Sequence, residues 1–370
     1  MARPLSPGPL AHVVYALCGH GRGHASRAVA VAEALRPRGH RVTFAADAPA
    51  ADRLDNVSDG AVYRVPGLRQ VLHGNRVRMG ATARANLALT WRSPEIVADA
   101  ARWLGTVGAD VVVADHEPFV ARGAQRIGVP VVALSHQLVL TEARPRAPLR
   151  SLPSRLGTAL GIAVLAPTRP DAVVVPSFFF PPPRRGSTAV FVPPILRDDV
   201  LRARPRAGRR LLVYVNEGEG MGALLDALGH VGAPADVYGL GPGPGAPPNV
   251  RLRPPSRAGF LADLAGCRAV VATAGFTLLS EALHLGKPVL ALPNRGFFEQ
   301  TVNALALREQ GWGEAVLDRD LRADDLRGFL DRADGLRQRA AAGGTVGRER
   351  AADVIERVLG AATPAARVAA

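Results

Sequence analysis

The chain has few aromatic residues and few cysteines. Phe, Trp and Tyr make up 5% of its 370 residues, so Val, Leu and Ala must fill the cores that a hydrophobic fraction of 48% predicts. Its two cysteines, Cys18 and Cys267, lie far apart in the sequence, which excludes a disulfide framework and a cysteine metal motif. The length is typical of two α/β domains rather than one.

Lysine is almost absent. Lys287 is the only lysine among 46 basic residues, and the formal net charge is +14. The arginines are spread along the chain, with modest clusters at 144–155, 184–185 and 202–210, and no interleaved aromatic residues accompany them. We therefore expect no nucleic-acid partner, because a surface attracted to anionic lipid or to phosphorylated substrates explains the same excess.

Long apolar runs are absent as well. No stretch approaches the ~18 residues of a membrane span, and the first residues, MARPLSPGP, lack the apolar core of a signal peptide. The sequence predicts a cytoplasmic protein, with peripheral contact at the inner face of the membrane left open. The run Phe178-Phe-Phe180 beside Arg184-Arg185 either dips into a membrane surface or, as we prefer, is a strand end packed under an interdomain linker.

Short apolar runs alternate with helical patterns twice along the chain, which indicates two parallel-sheet α/β units. Strand candidates of the first unit lie at 12–17, 41–46, 110–114, 129–134 and 172–175. The second unit begins at 210–215 and ends in helical patterns at 321–337 and 347–359. Residues 64–93 are Arg-rich and weakly patterned, and we expect a long loop that contains a helix. We place the domains at 1–195 and 196–370, with the last helix packing back on the first.

The most informative segment runs from 275 to 304. A short strand precedes a turn at Gly275, and a helix begins near Phe276 or Thr277. The free N–H groups and the positive dipole end of such a helix suit a phosphate. Thr277 and Glu281 share one helix face, so the Glu281 carboxylate can accept hydrogen bonds from ribose hydroxyls. The alternative is an incidental surface glutamate.

A glycine-rich turn, Gly19-His-Gly-Arg-Gly-His24, follows the first strand candidate. Its glycines, among them Gly21 and Gly23, allow a ligand to approach the backbone closely. His24 opens the next helix, where a neutral imidazole can act as a base or bind a hydroxyl; otherwise it caps the helix. Arg27 lies on the same side of that helix and either binds an anion or is solvated.

Ionisable residues also follow two later strands. Asp115, His116 and Glu117 stand at the carboxyl end of a strand, where ligands of open α/β sheets bind. Asp115 is a candidate general base or a partner that orients His24, and His116 or Glu117 can meet an acceptor. The alternative is a helix N-cap at Asp115. His136 ends the next strand and is expected on the same rim of the cleft.

Three motifs occur together in this chain: the glycine turn with His24, the block from Gly275 through Glu281 to Pro288, and Glu299-Gln300 with Asn303-Ala304. Together they resemble the GT-B glycosyltransferases of the MurG type and a group of uncharacterised bacterial and archaeal glycosyltransferase-like proteins. The resemblance covers most of the chain. It implies the GT-B fold, in which two doubly wound, Rossmann-like domains face each other across a cleft, the first on the acceptor side and the second binding the donor.

The resemblance also implies roles at matching positions. The donor nucleotide-sugar would be bound by Gly275, Phe276, Thr277, Glu281, Gln300 and Asn303. Among these, Glu281 would hold the ribose and Gln300 would contact the donor sugar. The acceptor and diphosphate side would be formed by Gly21, Gly23, Arg27, His116, Glu117 and His136. The catalytic candidates are His24 and Asp115, and the choice of base between them stays open.

The implied reaction moves a hexosyl or N-acetylhexosaminyl group from a nucleoside-diphosphate sugar, expected to be UDP-linked, to an unidentified acceptor. That acceptor is a small molecule, a lipid-linked molecule or a natural product. No two glutamates stand eight positions apart, the spacing common in retaining GT-B enzymes, and Asp318-Arg-Asp320 is expected to be a loop rather than a metal-binding motif. We therefore expect inversion without a metal or other cofactor. A UDP-sugar hydrolase of the same fold and a non-catalytic nucleotide-sugar-binding protein stay open as alternatives.

Overall fold

The computed structural model describes residues 11–19, 23–69, 71–73, 76–77, 79–215, 221–240, 245–343 and 346–366. Among the predicted site residues, Gly21 lies outside these ranges. The described chain forms two α/β units in sequence, each built on its own parallel sheet.

The first unit contains a seven-stranded parallel sheet and a separate antiparallel strand pair. Its strands are β1 (His12–Leu17), β2 (Arg41–Ala46), β3 (Tyr63–Arg64), β4 (Leu72–His73), β5 (Arg76–Val77), β6 (Val111–Asp115), β7 (Val131–Leu134), β8 (Ala172–Pro176) and β9 (Val190–Val192). Its helices are α1 (Gly23–Leu35), α2 (Ala48–Leu54), α3 (Met79–Ala85), α4 (Leu87–Val107), α5 (Pro118–Arg126), α6 (Val139–Glu142) and α7 (Leu152–Leu165). The strand order of the sheet is β3-β2-β1-β6-β7-β8-β9, and β4 pairs with β5.

A short helix, α8 (Asp198–Arg202), lies in the connection to the second unit. The strands of this unit are β10 (Leu211–Tyr214), β11 (Ala235–Tyr238), β12 (Val250–Leu252), β13 (Ala269–Ala272), β14 (Val289–Ala291) and β15 (Gly313–Ala315). Its helices are α9 (Met221–Val231), α10 (Arg257–Gly266), α11 (Phe276–His284), α12 (Phe298–Glu309) and α13 (Ala323–Gly343), followed by α14 (Arg348–Ala366). The strand order is β12-β11-β10-β13-β14-β15, with every pair parallel.

The first sheet is buried on both faces, as its Val- and Ala-rich strands predict. Alternate residues of β1 point to opposite sides: Val13 and Tyr15 pack in the core that α1 and α14 cover, whereas Val14 and Ala16 pack against α4 and α5. The final helix α14 therefore covers the first unit, although it follows the second unit in sequence. None of the helices in the described ranges is long and apolar enough to cross a membrane.

The described part of the segment 64–93 has more regular secondary structure than the sequence suggests. It contains β4, β5 and α3, and α4 already begins at Leu87. The first turns of α4 are exposed, with Leu87 57% and Trp91 79% accessible, so the large apolar residues there do not mark a buried helix face. The sequence did not predict the short strand β9, because its three residues are too few to show the alternation of a strand.

One hydrophobic core joins the two units. Phe178 and Phe179, just after β8, are buried in a cluster with Phe276 of α11 and Phe298 of α12. The Phe178 ring lies 5.9 Å from that of Phe276. This packing agrees with the preferred interpretation of the phenylalanine run, although Phe180 is exposed.

Candidate functional site

Two helix N-termini meet between the units. Gly23 is the first residue of α1, and Thr277 is the second residue of α11. A Cβ atom on Gly23 would lie 2.6 Å from the Thr277 hydroxyl oxygen, so only glycine allows this approach. The first-turn N–H groups of a helix have no intrahelical partners and attract anions. The positions predicted to flank the ligand, Gly23 and Thr277, are thus brought together from opposite units.

Asp115, the last residue of β6, is the centre of a buried polar network. Its side chain is fully buried and accepts hydrogen bonds from Arg27 Nε and Nη2, both at 2.9 Å, and from the Tyr15 hydroxyl at 3.2 Å. Burial alone would raise the pKa of this carboxyl group, but Arg27 and His24 together outweigh it and hold the pKa well below its usual range. Asp115 is therefore a carboxylate whose oxygens are already engaged.

His24 is the exposed end of this network. Its Nδ1 atom lies 2.9 Å from Asp115 Oδ1 and 3.0 Å from Arg27 Nη2, and 15% of its side chain is accessible. When Nδ1 donates its hydrogen to Asp115, Nε2 carries the lone pair of the neutral ring. A lone pair fixed in direction by a buried carboxylate is the arrangement that a general base requires.

Arg27 and Glu117 are placed differently from the sequence prediction. Arg27 is 5% exposed and makes two hydrogen bonds to Asp115, so it is not free to bind a ligand anion. Glu117 is the N-cap of α5, and its two oxygens accept hydrogen bonds from the Phe119 and Val120 N–H groups at 3.0 and 2.7 Å. The capping residue is thus Glu117 rather than Asp115, and its carboxylate is turned to its own helix.

Burial raises the pKa of Glu117 to about 7, because the backbone N–H groups only partly compensate for the lost hydration.

His116, which separates Asp115 from Glu117 in the sequence, has an unusual backbone conformation. Its backbone φ is 58°, in the left-handed region that non-glycine residues rarely adopt. The side chain is 5% exposed, and its Nε2 atom is buried without a hydrogen-bond partner among the described residues. Burial, with His24 and Arg27 nearby, lowers the pKa of His116 to about 3, so the ring is neutral. The centroid of this ring lies 6.0 Å from that of the His24 ring. A strained backbone that holds a ring with an unpartnered nitrogen is a typical feature of a functional site.

The N-terminus of α11 leaves hydrogen-bond donors unused. The Gly275 N–H donates to the Thr273 carbonyl at 2.8 Å and is not free, contrary to its predicted role. The next N–H groups, of Phe276 and Thr277, belong to the first helical turn and have no carbonyl partner within the helix. No described atom lies within 4 Å of the position that a Cβ on Gly275 would take. This end of α11 therefore has both donors and room for a phosphate.

Glu281, one turn further along α11, forms a buried ion pair. Its Oε1 accepts a hydrogen bond from Arg197 Nη2 at 3.2 Å, and both side chains are less than 10% exposed. Arg197 precedes α8 and also donates to Asp199 at 2.9 Å. Burial raises the pKa of Glu281, and Arg197 opposes this change. Glu281 is thus not the incidental surface glutamate that the sequence left open.

The remaining donor-side candidates brace the loops around α11. Gln300 accepts a hydrogen bond from the Asn294 N–H at 2.8 Å and so fixes the loop before α12. Asn303 is fully buried and donates to the Ala274 carbonyl at 3.1 Å. Its Oδ1 lies 2.8 Å from His136 Nε2. Asn303 therefore ties the turn before α11 to the first unit.

His136 lies at the interface between the units and not on the rim of the cleft. It is 2% exposed, and its ring stacks on that of Phe276 with centroids 3.9 Å apart. Its Nδ1 atom lies 2.8 Å from the Pro176 carbonyl oxygen. Burial lowers the pKa of His136, so the neutral ring donates to one of its two acceptors at a time.

Sequence reasoning missed three polar side chains around the site. Tyr15 lies inside an apolar strand and Arg197 in a connection, and neither position carries a motif. Asp47 directly follows β2 and was detectable, since the rule that identified Asp115 at the end of β6 applies to it equally. The Asp47 carboxylate lies beside the Gly19 backbone, and its Oδ1 is buried without a partner among the described residues.

The Asp318-Arg-Asp320 segment is engaged in ion pairs. Asp318 pairs with Arg150 at 2.8 Å, and Asp320 pairs with Arg295 at 3.1 Å. Within the described ranges, no three histidine, cysteine, aspartate or glutamate side chains are grouped so that they could hold a metal ion.

The family model described as "Glycosyl transferase family 1" matches residues 11–334. An uncharacterised glycosyltransferase of Methanosarcina acetivorans is 23% identical over 337 residues, which are 81% of this chain and 84% of the relative.

Two solved structures share the whole architecture. CalG4, the calicheamicin glycosyltransferase, superposes with a TM-score of 0.63 at 21% identity and covers 96% of this chain and 100% of its own. MurG of Acinetobacter baumannii gives a TM-score of 0.58 at 16% identity, over 94% of this chain and 99% of its own. Both likenesses concern the fold, and they confirm the predicted GT-B arrangement of two parallel-sheet domains.

Proposed function

Because the chain belongs to glycosyl transferase family 1 and is a glycosyltransferase, we propose that it moves a sugar from a nucleoside-diphosphate sugar, expected to be UDP-linked, to an acceptor hydroxyl. The proposed reaction proceeds with inversion and without a metal ion. The observation that carries the proposal is the Asp115–His24 pair, which lies at the same interface as the N-terminus of α11.

His24 is the proposed base. Asp115 holds Nδ1–H, and Nε2 removes the proton from the acceptor hydroxyl. The acceptor oxygen then forms a bond to the anomeric carbon, while the bond from that carbon to the diphosphate oxygen breaks and its electron pair leaves with the diphosphate. Attack from the face opposite the leaving group inverts the anomeric configuration. Asp115 itself is a positioning residue, because its own oxygens are engaged by Arg27, Tyr15 and His24.

The N-terminus of α11 is the proposed diphosphate site. The Phe276 and Thr277 N–H groups and the helix dipole would stabilise the charge that develops on the leaving group. This device supplies the stabilisation that a metal ion provides in other transferases. In support, Asp318 and Asp320, which have the spacing of a metal-binding motif, are each already paired with an arginine.

Glu281 is the proposed ribose ligand. Arg197 opposes the effect of burial on the pKa of this carboxyl group and holds one of its oxygens, which leaves the other for the ribose hydroxyls. Gln300 and Asn303 would shape the sugar pocket through the loops that they fix.

A donor screen by thermal shift tests the proposal. We expect UDP and its sugar conjugates to raise the melting temperature, because a ligand that binds only the folded state stabilises it by mass action. Glu281→Gln should weaken this shift, and Glu309→Gln, which changes an exposed glutamate of the same unit, should leave it intact. The absence of a shift with UDP-, dTDP- and GDP-sugars would exclude a nucleoside-diphosphate donor.

Turnover assays separate the alternatives. A transferase should place the sugar on an acceptor. Inversion predicts that NMR shows the product with the anomeric configuration opposite to that of the donor. Metal independence predicts that EDTA leaves the rate of transfer unchanged. Free sugar released at the full rate without an acceptor would identify a hydrolase. Binding without any turnover would identify a non-catalytic nucleotide-sugar-binding protein.

A further inference from the structure

Helix α7 of the first unit carries an exposed apolar stripe. Leu152, Leu156, Leu160 and Val164 recur every four residues and are 51%, 63%, 62% and 49% exposed, and Leu149, just before the helix, is 93% exposed. Residues four apart lie one above the other on a helix. Half of the exposed large apolar side chains in the described ranges are in this one stretch. Together they form a face that no described part of the chain covers.

The opposite side of α7 is anchored in the protein. Ile162 is 3% exposed and packs into the core that joins the two units, with Phe178 and Phe179. The helix also contacts α12 of the second unit. The outer stripe is therefore presented by a helix that is held in place, rather than by a segment free to bury itself elsewhere.

The charges that the α7 segment itself contributes have one sign. Between Glu142 and Asp171 the sequence contains five arginines and no acidic residue. Arg146 and Arg150 reach Glu309 and Asp318 of the second unit at 4.0 and 2.8 Å. Arg144 and Arg155 are exposed and have no acidic partner among the described residues. The positive charge at the edge of the stripe is thus only partly neutralised within the protein.

We propose that this face of α7 docks on an anionic lipid surface. The leucines would enter the boundary between headgroups and acyl chains, and Arg144 and Arg155 would contact lipid phosphates. An apolar helix face flanked by cations is the pattern of an interfacial helix, and each arginine near an anionic surface adds to the attraction. Monomeric soluble proteins rarely expose large contiguous apolar patches without a partner.

The charge pattern decides between possible occupants. A second copy of this chain would bring the same uncompensated arginines to the contact, and like charges at an interface are costly. An anionic membrane supplies both the apolar phase and the opposite charge. The segment 178–180, for which the sequence left membrane contact open as the less favoured alternative, is not this surface, since two of its three rings are buried.

Sedimentation with vesicles tests the apolar part of the proposal. The wild-type chain should pellet with vesicles of phosphatidylglycerol and phosphatidylcholine at low salt, and the double variant Leu156→Glu/Leu160→Glu should bind at least about tenfold more weakly. The matched control Ile127→Glu/Val346→Glu changes two exposed apolar residues elsewhere and should bind as the wild type does. The melting temperature without ligand shows whether each variant is folded, so the result is independent of the donor site.

A second variant tests the electrostatic part of the membrane-docking proposal. Arg144→Gln/Arg155→Gln should reduce binding to the anionic vesicles by about tenfold and make it less sensitive to salt. Arg204→Gln/Arg350→Gln removes the same charge from other exposed sites and should have little effect. Equal binding by the Leu156→Glu/Leu160→Glu variant, or no binding by the wild type, would overturn the proposal. Self-association in light scattering that this variant abolishes would instead assign the face to a second copy.

Discussion

The Asp115–His24 pair on one side of the cleft and the N-terminus of α11 on the other differ in how far their hydrogen-bonding groups are satisfied. On the first-unit side, Asp115 is engaged by Arg27, Tyr15 and His24 within a buried network. On the second-unit side, the first-turn N–H groups of α11 have no partner within the helix. The difference indicates that the base is prepared in advance, whereas the donor site is completed only by an anionic ligand. Changes on the two sides should therefore have different consequences.

Asp115→Asn should have the largest effect. An asparagine can hold His24 in the wrong tautomer, so we expect kcat to fall by about 1000-fold. It also leaves the buried Arg27 charge without its carboxylate, which should cost about 3 kcal/mol of unfolding free energy. Enzyme assay and urea denaturation measure the two effects. Asp59→Asn, which removes a half-exposed partner of Arg36, serves as control and should cost less than about 1 kcal/mol.

The dependence of stability on acidic pH tests whether Asp115 is ionised in the folded protein. Because the pKa of Asp115 is depressed in the folded state, its contribution is present above the unfolded pKa of about 3.9 and is lost as the pH falls below that value. The wild type should therefore lose more stability than Asp115→Asn when the pH is lowered below about 4. Parallel losses in the two proteins would contradict the ionised state of Asp115.

Arg197→Ala should have the next largest effect, on the donor side. It leaves the Glu281 carboxylate buried and unpaired, at a cost of about 3 kcal/mol in urea denaturation. Adding Glu281→Gln removes the unpaired charge and should recover part of this loss. If the second substitution made the protein still less stable, the ion pair would not be the cause.

Glu117→Gln tests a carboxyl group that is bound by the N–H groups of its own helix rather than by an ion pair. Its folded pKa of about 7 lies above the unfolded value, so its stabilising contribution is present below the unfolded pKa and is lost as the pH rises through 7. Relative to Glu117→Gln, the wild type should lose about 2 kcal/mol between pH 5 and pH 8. Glu309→Gln is the control. If the difference in unfolding free energy between the wild type and Glu117→Gln were the same at pH 5 and pH 8, Glu117 would be ionised throughout this range.

Gly23→Ala should have the smallest effect and acts on both sides at once. The new methyl group collides with the Thr277 hydroxyl, which would move the two helix ends apart and weaken UDP binding by about tenfold. Gly23→Ala/Thr277→Ala removes the collision and should restore part of the affinity. Titration calorimetry with UDP checks both variants, and an unchanged affinity in Gly23→Ala would mean that the contact is not needed for donor binding.

The two sides were not equally predictable from the sequence. Asp115, His24 and the start of α11 follow from the rule that ligands bind at the carboxyl ends of parallel strands, and the structure brings them to one interface. Their partners could not be predicted, because Tyr15 and Arg197 meet Asp115 and Glu281 only through tertiary packing. Arg27 and His136 were assigned to ligand binding since a sequence does not reveal which charged or polar side chains are already paired.

Joint measurement of UDP affinity and sugar transfer in His24→Ala tests the central claim most directly. If His24 is the base and the donor is bound by α11, the variant should bind UDP with a dissociation constant within about twofold of the wild type. It should also transfer sugar at least about 100-fold more slowly. Weakened UDP binding with unchanged transfer at saturating donor would contradict it.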